Sequence, residues 1–345
     1  MFIIIILMKA AFYKLQRVLI FIHYLSIFKV VNLLKLILSY LFSSSRLHNI
    51  LNIYPFFISV EVTDYCNLHC PECPVGIGSF SKPDKSSFDF SLFSKLINEL
   101  KPKLQHVILY FQGEPFLNKQ LIEFIQYTHD AGIYTSTSTN GQFLNKNNAL
   151  EIVVSGLDKI IISIDGSTQQ TYEAYRVGGS LQKALDGIKF LVEWKKTLKS
   201  VTPLIEIQFL VLKTNEHQMN EMKQLTKSLE ADRLTFKSAQ LYDFENGNKL
   251  LTTINRYARY KRTVEGKFVL KGRQSNSCWR LWSGAVINVN GEVLPCCFDK
   301  FSAHSFGNIR KNSVLNCWHS DKASEFRSSI LKNRKQFEMC RNCTN

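Results

Sequence analysis

Cys66, Cys70 and Cys73 stand in C-x3-C-x2-C spacing within eight residues. Three thiolates this close can hold three irons of a four-iron, four-sulfur cube and leave the fourth iron open for chemistry. A structural zinc wants four protein ligands, and no fourth cysteine follows until Cys278, although His69 lies inside the motif. A zinc knuckle or three buried thiols is the bland alternative. Further on, Cys278, Cys296, Cys340 and Cys343 form a second set, with 17 residues between the first two and a C-x2-C pair at the chain end. Spacing alone leaves this set open between a fully cysteine-ligated cluster and a zinc ribbon. The grouping of all nine cysteines is a metal pattern and not a disulfide framework, which implies a reducing compartment.

The elements that must position these thiols follow from periodicity. After Pro55 short β-like runs alternate with helical ones, the signature of a parallel sheet with crossover helices. Strands are expected at Phe56 to Thr63, His106 to Phe111, Ile133 to Ser138, Lys159 to Ile164, Leu204 to Val211 and Arg233 to Lys237. Ser79 to Ser87 reads as a loop, and Asp89, Asn118 and Ser313 as helix caps. Polar signatures fall just after strands: Gly113-Glu114-Pro115, Asn140-Gly141, Ser163 and Asp165, and Arg176 on the helix beyond. In a parallel α/β barrel such positions gather at the C-terminal face. From about Phe268 the alternation stops. Asn290-Gly291 then predicts a two-residue hairpin between Ala285–Val289 and Glu292–Cys296. Neighbours on a strand point to opposite faces, so Cys296 and Cys297 are not expected on the same metal, and one of them is free. Cys317 reads as a core thiol.

The first cysteine motif, placed after a first strand, resembles that of the radical S-adenosylmethionine (SAM) enzymes. The resemblance implies that the open iron chelates SAM, that an electron cleaves it to a 5′-deoxyadenosyl radical, and that this radical takes hydrogen from substrate. It also implies a reductant such as flavodoxin or ferredoxin. The residue before the last cysteine, often aromatic in that family, is Glu72 here. Six βα units resemble the family's partial (β/α)6 TIM-like barrel; periodicity alone also permits an open doubly wound sheet. By the same resemblance Gly113, Glu114 and Pro115 contact the methionine amino group, with Gln112 in place of the first glycine of the family motif. Ser163 and Arg176 contact the carboxylate, a task suited to a guanidinium. Asp165 either reaches the ribose or caps a helix, and Asn140 either approaches SAM or turns the chain. The second cysteine set resembles the shortened SPASM domain, called twitch, which implies one auxiliary [4Fe-4S] cluster on Cys278, Cys296, Cys340 and Cys343. Cys297 is then the free thiol, either packed or a hydrogen donor to a substrate radical, as in related sugar epimerases.

Composition bounds the rest. The chain has 345 residues and a formal net charge of +15. Six of those charges (Lys9, Lys14, Arg17, Lys29, Lys35 and Arg46) precede the first acid, Glu61. The remaining excess is dispersed and no nucleic-acid motif is present, so no nucleic-acid partner is expected. The stretch to Phe42 reads as apolar helix. A spanning helix needs about 20 apolar residues, and Lys29 or Lys35 would sit in hydrocarbon. Two readings remain: a collar on the catalytic domain, or a basic-apolar helix in the membrane surface. The expected organisation is therefore an N-terminal helical segment over 1–50, an α/β barrel over 51–267 and an iron-sulfur domain of hairpin and short helices over 268–345. The expected protein is a cytoplasmic enzyme, with contact to the inner membrane face through 1–45 under the second reading. Its substrate is a peptide, amino sugar or cyclitol, and the outcome is oxidation, coupling or epimerisation. A non-catalytic cluster or zinc scaffold, or an electron carrier, is the alternative.

Overall fold

A computed structural model describes residues 13, 15–42, 45–79, 86–272 and 274–344. Residues 1–12 of the apolar segment, and most of the loop expected over Ser79 to Ser87, lie outside the described residues.

In chain order the elements are α1 (Leu15–His23), α2 (Ile27–Leu41), α3 (Ser45–Ile50), β1 (Phe57–Val60), α4 (Phe90–Leu100), β2 (His106–Ile108), α5 (Leu121–Asp130), β3 (Tyr134–Thr139) and α6 (Lys146–Val154). There follow β4 (Lys159–Ser163), α7 (Gln169–Glu173), α8 (Leu181–Thr197), β5 (Leu204–Val211), α9 (Met219–Ser228), β6 (Arg233–Ser238), β7 (Tyr260–Arg262) and β8 (Phe268–Leu270). The C-terminal part holds α10 (Trp279–Ser283), β9 (Gly284–Ile287), β10 (Val293–Leu294), α11 (Val314–Trp318), α12 (Asp321–Asn333) and α13 (Glu338–Arg341). Asp89 caps α4 by accepting from Leu92 N–H at 2.9 Å, and Ser313 caps α11. Asn118 acts one turn earlier than expected: its Oδ1 accepts from Gln120 N–H, and its Nδ2 donates to Val62 O at 2.8 Å.

These elements form two compact units, one from residues within 1–23, 66–81 and 136–271, the other from 24–65, 82–135 and 272–345. In the first, β4 pairs in parallel with β3 and β5, and β5 with β6. Their apolar side chains (Ile160, Ile162, Ile205, Ile207, Phe209) are fully buried. Ile160 lies opposite Ile205 and Ile162 opposite Ile207, so these side chains share one buried face of the sheet. The expected strands of this unit depart from the sequence reading only at their ends, where pairing stops as polar loop residues begin, but the antiparallel pair β7–β8, Tyr260 opposite Leu270, was not expected.

In the second unit β1 pairs in parallel with β2 on one side and with β9 on the other, Phe57 opposite Gly284 and Val60 opposite Ile287. β10 returns antiparallel to β9 through a turn at Gly291, whose φ of +85° suits glycine. The Asn-Gly signal foretold the hairpin but neither its partner nor its loop, which spans 289–291 instead of two residues, since Asn288 N–H still donates to Glu292 O at 3.0 Å. A cross-chain pairing of this kind leaves no local pattern.

The expected continuous helix to Phe42 is broken at 24–26, where Ser26 caps α2. Within its unit α2 is inside-out. Its buried residues include Lys29, Asn32 and Ser39, whereas Ile27, Phe28, Val31, Leu34, Leu38 and Leu41 are exposed. Lys29 Nζ donates to Gly132 O at 2.6 Å and Tyr24 O at 3.0 Å, and Asn32 exchanges hydrogen bonds with the Tyr54 backbone. Burial lowers the Lys29 ammonium to about 8.

Candidate active site

The first unit holds the C-x3-C-x2-C loop. Cys70 is buried with Leu68, Tyr175, Leu212, Leu241 and Tyr260, and Cys66 and Cys73 border the same cluster. The loop is tied down by its backbone: His69 N–H donates to Val177 O at 3.0 Å, Cys73 N–H to Cys70 O at 3.1 Å and Ile77 N–H to Cys73 O at 2.9 Å. Gly76 passes so close to Cys70 that a Cβ there would sit 2.7 Å from its N and O atoms. His69 Nδ1 faces Gly76 O at 3.4 Å.

Two polar side chains of the expected set reach these sulfurs. Asn140, at the end of β3, is buried and places Nδ2 3.6 Å from Cys66 Sγ and 2.9 Å from Asn67 Oδ1. Arg176 places Nη1 3.8 Å from Cys70 Sγ while its Nε donates to Asp165 Oδ2 at 2.6 Å. Burial opposes the Arg176 charge, but Asp165 and the Cys70 sulfur outweigh it. Burial pushes the Cys70 thiol up, with Arg176 acting the other way.

Asp165 does not cap the helix that follows it. Thr168 caps α7, and the two oxygens of the fully buried Asp165 carboxylate receive Arg176 Nε and Leu210 N–H, the latter at 2.6 Å. Ser163 is buried at the end of β4. Glu72, where the family often has an aromatic residue, accepts from Tyr242 N–H and from Asn248 Nδ2, each at 3.0 Å. It fastens the 242–248 segment to the cysteine loop. Burial, then Cys73 and Glu72, push the Tyr242 phenol up to about 12. Nothing in the sequence pairs residue 72 with 242.

The second unit carries Gly113-Glu114-Pro115. Gly113 has φ +69°, and a Cβ there would lie 2.4 Å from Thr63 O and 2.8 Å from Tyr65 O. The close approach that requires glycine is thus to the segment leading into Cys66. Glu114 N–H donates to Tyr65 O at 2.9 Å, and its buried carboxylate accepts from Phe116 N–H at 3.2 Å above a short 3-10 turn that opens on Pro115.

Cys278, Cys296, Cys340 and Cys343 all line one cavity in this unit. Arg334, 1% exposed and absent from the sequence reading, donates from Nη2 to Cys343 Sγ at 3.0 Å and from Nη1 to Ser275 O at 3.3 Å. Burial, followed by Cys297, Cys278 and Cys340 as neighbours, pushes the Cys296 thiol up. Cys297 does not line this cavity. It borders a second one of about 220 Å³, to which Cys296 also contributes, and receives Arg280 Nη1 at 3.1 Å. Cys317 is buried in α11, as expected of a core thiol.

Comparison with known proteins matches residues 60–207 to the Radical SAM superfamily and residues 278–344 to SPASM, an iron-sulfur cluster-binding domain. The chain is a radical SAM enzyme with a SPASM domain. The PqqA peptide cyclase of Bradyrhizobium diazoefficiens is 27% identical over 296 residues, covering 78% of this chain and 74% of that protein. A tungsten-containing aldehyde ferredoxin oxidoreductase cofactor-modifying protein of Pyrococcus furiosus is 23% identical, covering 84% and 87%. Among solved structures, Streptococcus suis SuiB bound to S-adenosylmethionine aligns with a TM-score of 0.63 at 16% identity, covering 84% of this chain and 72% of that one. The anSMEcpe structure with bound AdoMet aligns with a TM-score of 0.58 at 15% identity, covering 84% and 85%. At these identities the structures share the fold, a partial α/β barrel built on a parallel sheet.

The radical SAM enzyme therefore uses a SAM-binding [4Fe-4S] cluster and auxiliary cluster chemistry, and the residues present fit both. One loop offers three thiols and one cavity is lined by four, all soft ligands that suit iron-sulfur clusters. Among the described residues no three such donors converge on single-ion spacing. A cube, by contrast, holds its thiolates apart at its corners.

Proposed function

We propose that the SAM-cleaving cluster is held by Cys66, Cys70 and Cys73 and a single auxiliary cluster by Cys278, Cys296, Cys340 and Cys343, and that the enzyme oxidises or couples a peptide or small-molecule substrate. The observation that carries this reading is the shared cavity of the last four cysteines, from which Cys297 is excluded. When bound, the first cluster supplies the electron that cleaves SAM to the hydrogen-abstracting radical. The chain's own residues hold and orient. Asp165 fixes the plane of Arg176, whose remaining N–H groups suit the SAM carboxylate, while Asn140 and Arg176 donate towards the Cys66 and Cys70 sulfurs. Glu114 accepts the methionine ammonium, Gly113 and Pro115 shape that turn, and Ser163 lies beside the carboxylate subsite. Arg334 donates to Cys343, which raises the potential of a cluster bound there. A small electron carrier such as flavodoxin or ferredoxin is the proposed reductant. Dithionite and SAM added to anaerobically reconstituted enzyme should yield 5′-deoxyadenosine; none from protein of full iron content would favour a non-catalytic scaffold.

The outward apolar face of α2 supports a second element of the reading, peripheral contact with an anionic membrane surface at the cytoplasmic face. Among the described residues no single helix is long and apolar enough to cross a membrane. A contiguous apolar face of this kind is seldom left in water, and the cations that precede Glu61 with no acid among them, the buried Lys29 apart, complement anionic lipid. The polar side of α2 meanwhile anchors it to its own unit, so the collar and membrane readings describe opposite faces of one helix.

A further inference from the structure

We infer that the cavity beside Cys297 is an anion-binding substrate subsite, in which Arg280 and Lys300 hold a carboxylate or phosphate group of the molecule to be modified. The inference deepens the enzymatic reading above and rests on it for the word substrate. The cavity follows from the sheet register of the second unit. Ser59 of β1 lies opposite Ile108 of β2 and Val286 of β9, and Phe57 lies opposite Gly284. Parallel partners share a face, so these side chains line one side of the sheet, while Ile58 and Val60 point into the fully buried core on the other. The space they leave is about 220 Å³, enough for a small molecule or for one side chain of a larger one.

Two cations reach this space from separate elements, Arg280 from α10 and Lys300 from the segment after β10, and among the described residues no carboxylate lines it. Among the described residues neither takes part in an ion pair. The Lys300 ammonium has only the Phe111 carbonyl at 3.4 Å and the Phe111 ring, 4.4 Å to its centroid. Arg280 spends one N–H group on Cys297 Sγ. The nearest acid in sequence, Asp299, is turned away, accepting from Ala303 N–H at 2.8 Å and His304 N–H at 3.0 Å. Two half-buried cations sharing a cavity repel one another and lose hydration. An anion between them removes both costs, and a guanidinium with an ammonium beside it suits the oxygens of a carboxylate or phosphate. Such a clamp would set the rest of the substrate beside Cys297.

Cys297 reports on its own surroundings. In reconstituted holoenzyme its alkylation, mapped by mass spectrometry, should be faster with anionic iodoacetate relative to neutral iodoacetamide than it is for glutathione, by roughly tenfold, as nearby cations of low screening produce. The ratio cancels any change in the thiol's own nucleophilicity. Lys300→Met should lower it several-fold and Lys300→Arg should retain it. Protection by inorganic phosphate but not acetate would assign a phosphate subsite, and the reverse a carboxylate one. A ratio equal to that of glutathione, or equal in wild type and Lys300→Met, would overturn the proposal. Should Cys297 resist both reagents, line broadening of the 31P resonance of inorganic phosphate or of the 1H resonance of acetate that vanishes in Lys300→Met supports the subsite, and the absence of both in the wild type overturns it. 5′-Deoxyadenosine is measured on the same samples. A glutathione-like ratio with SAM cleavage intact removes the subsite alone, whereas a raised ratio without cleavage removes the enzymatic reading alone.

Discussion

Asp165 is fully buried and its Oδ2 accepts from Arg176 Nε at 2.6 Å, which turns the guanidinium so that Nη1 lies 3.8 Å from Cys70 Sγ. The carboxylate is thus a positioning group for the arginine. Removing one partner of a buried ion pair strands the other, so Asp165→Ala should destabilise the fold by about 3–5 kcal/mol. Arg176→Ala should weaken SAM binding by about 1.5–3 kcal/mol, the range for hydrogen bonds to charged groups. Anaerobic urea unfolding and isothermal titration check the two figures. Wild-type SAM affinity in Arg176→Ala would remove that residue from the site.

Cys296 and Cys297 are adjacent in sequence but differ in surroundings, since only Cys296 lines the four-cysteine cavity. Cys296→Ser should therefore lose about half of the iron, and Cys297→Ser should keep all of it. Iron analysis of the two reconstituted variants decides, and equal losses would contradict the assignment. With a substrate in hand, Cys297→Ser run in deuterated water separates a packed thiol from a hydrogen donor: only a donor carries solvent deuterium to an inverted carbon.

Glu72 joins the cysteine loop to the 242–248 segment through Tyr242 N–H and Asn248 Nδ2. Glu72→Ala removes an acceptor shared by both, a loss of about 1.5–3 kcal/mol by the usual range for hydrogen bonds to a charged group. Faster hydrogen exchange at the Tyr242 amide, with exchange at β5 unchanged, is the expected result.

His48 is fully buried on α3, 5.5 Å from the Trp318 ring, and burial together with the nearby Arg327 holds its imidazole well below the usual range. The folded protein therefore keeps His48 neutral while the unfolded chain binds a proton below its ordinary value, near 6.5. Stability contributed by this site is present above about pH 6.5 and is lost as pH falls below it. His48→Leu should flatten the decline between about pH 6.5 and 5 in urea unfolding. An unchanged slope would show that His48 does not carry it.

Much of this was legible from residue order. β5 was delimited to the residue, and the other expected strands within a few positions, because most are β-branched or apolar runs between glycine and polar loops; the short pair β7 and β8 carries no such run and was not expected. The cysteine sets were legible because soft ligands at fixed spacing have few other uses. What was not legible is non-local: β9 joining β1, Glu72 reaching Tyr242, and Arg334 reaching Cys343. The inversion of α2 escaped for a different reason. Lys29, Asn32 and Ser39 read as a polar side facing solvent, but backbone carbonyls such as Gly132 O and Tyr54 O await them inside.

The outward side of α2 offers a direct test of membrane contact. Leu34→Glu together with Leu38→Glu should release the enzyme from anionic vesicles with no loss of folding, since both side chains are exposed. Binding of the wild type should weaken as salt rises. Wild-type protein that stays in the supernatant at low salt would leave α2 as a collar alone.

Metal analysis of the anaerobically reconstituted chain, read beside SAM cleavage, bears most directly on the central claim. Two cubes predict about eight irons per chain. Replacing Cys66, Cys70 and Cys73 together with Ala should leave about four irons and abolish 5′-deoxyadenosine formation. Zinc at the C-terminal cysteines with only about four irons in the wild type, or 5′-deoxyadenosine from the triple variant, would contradict it.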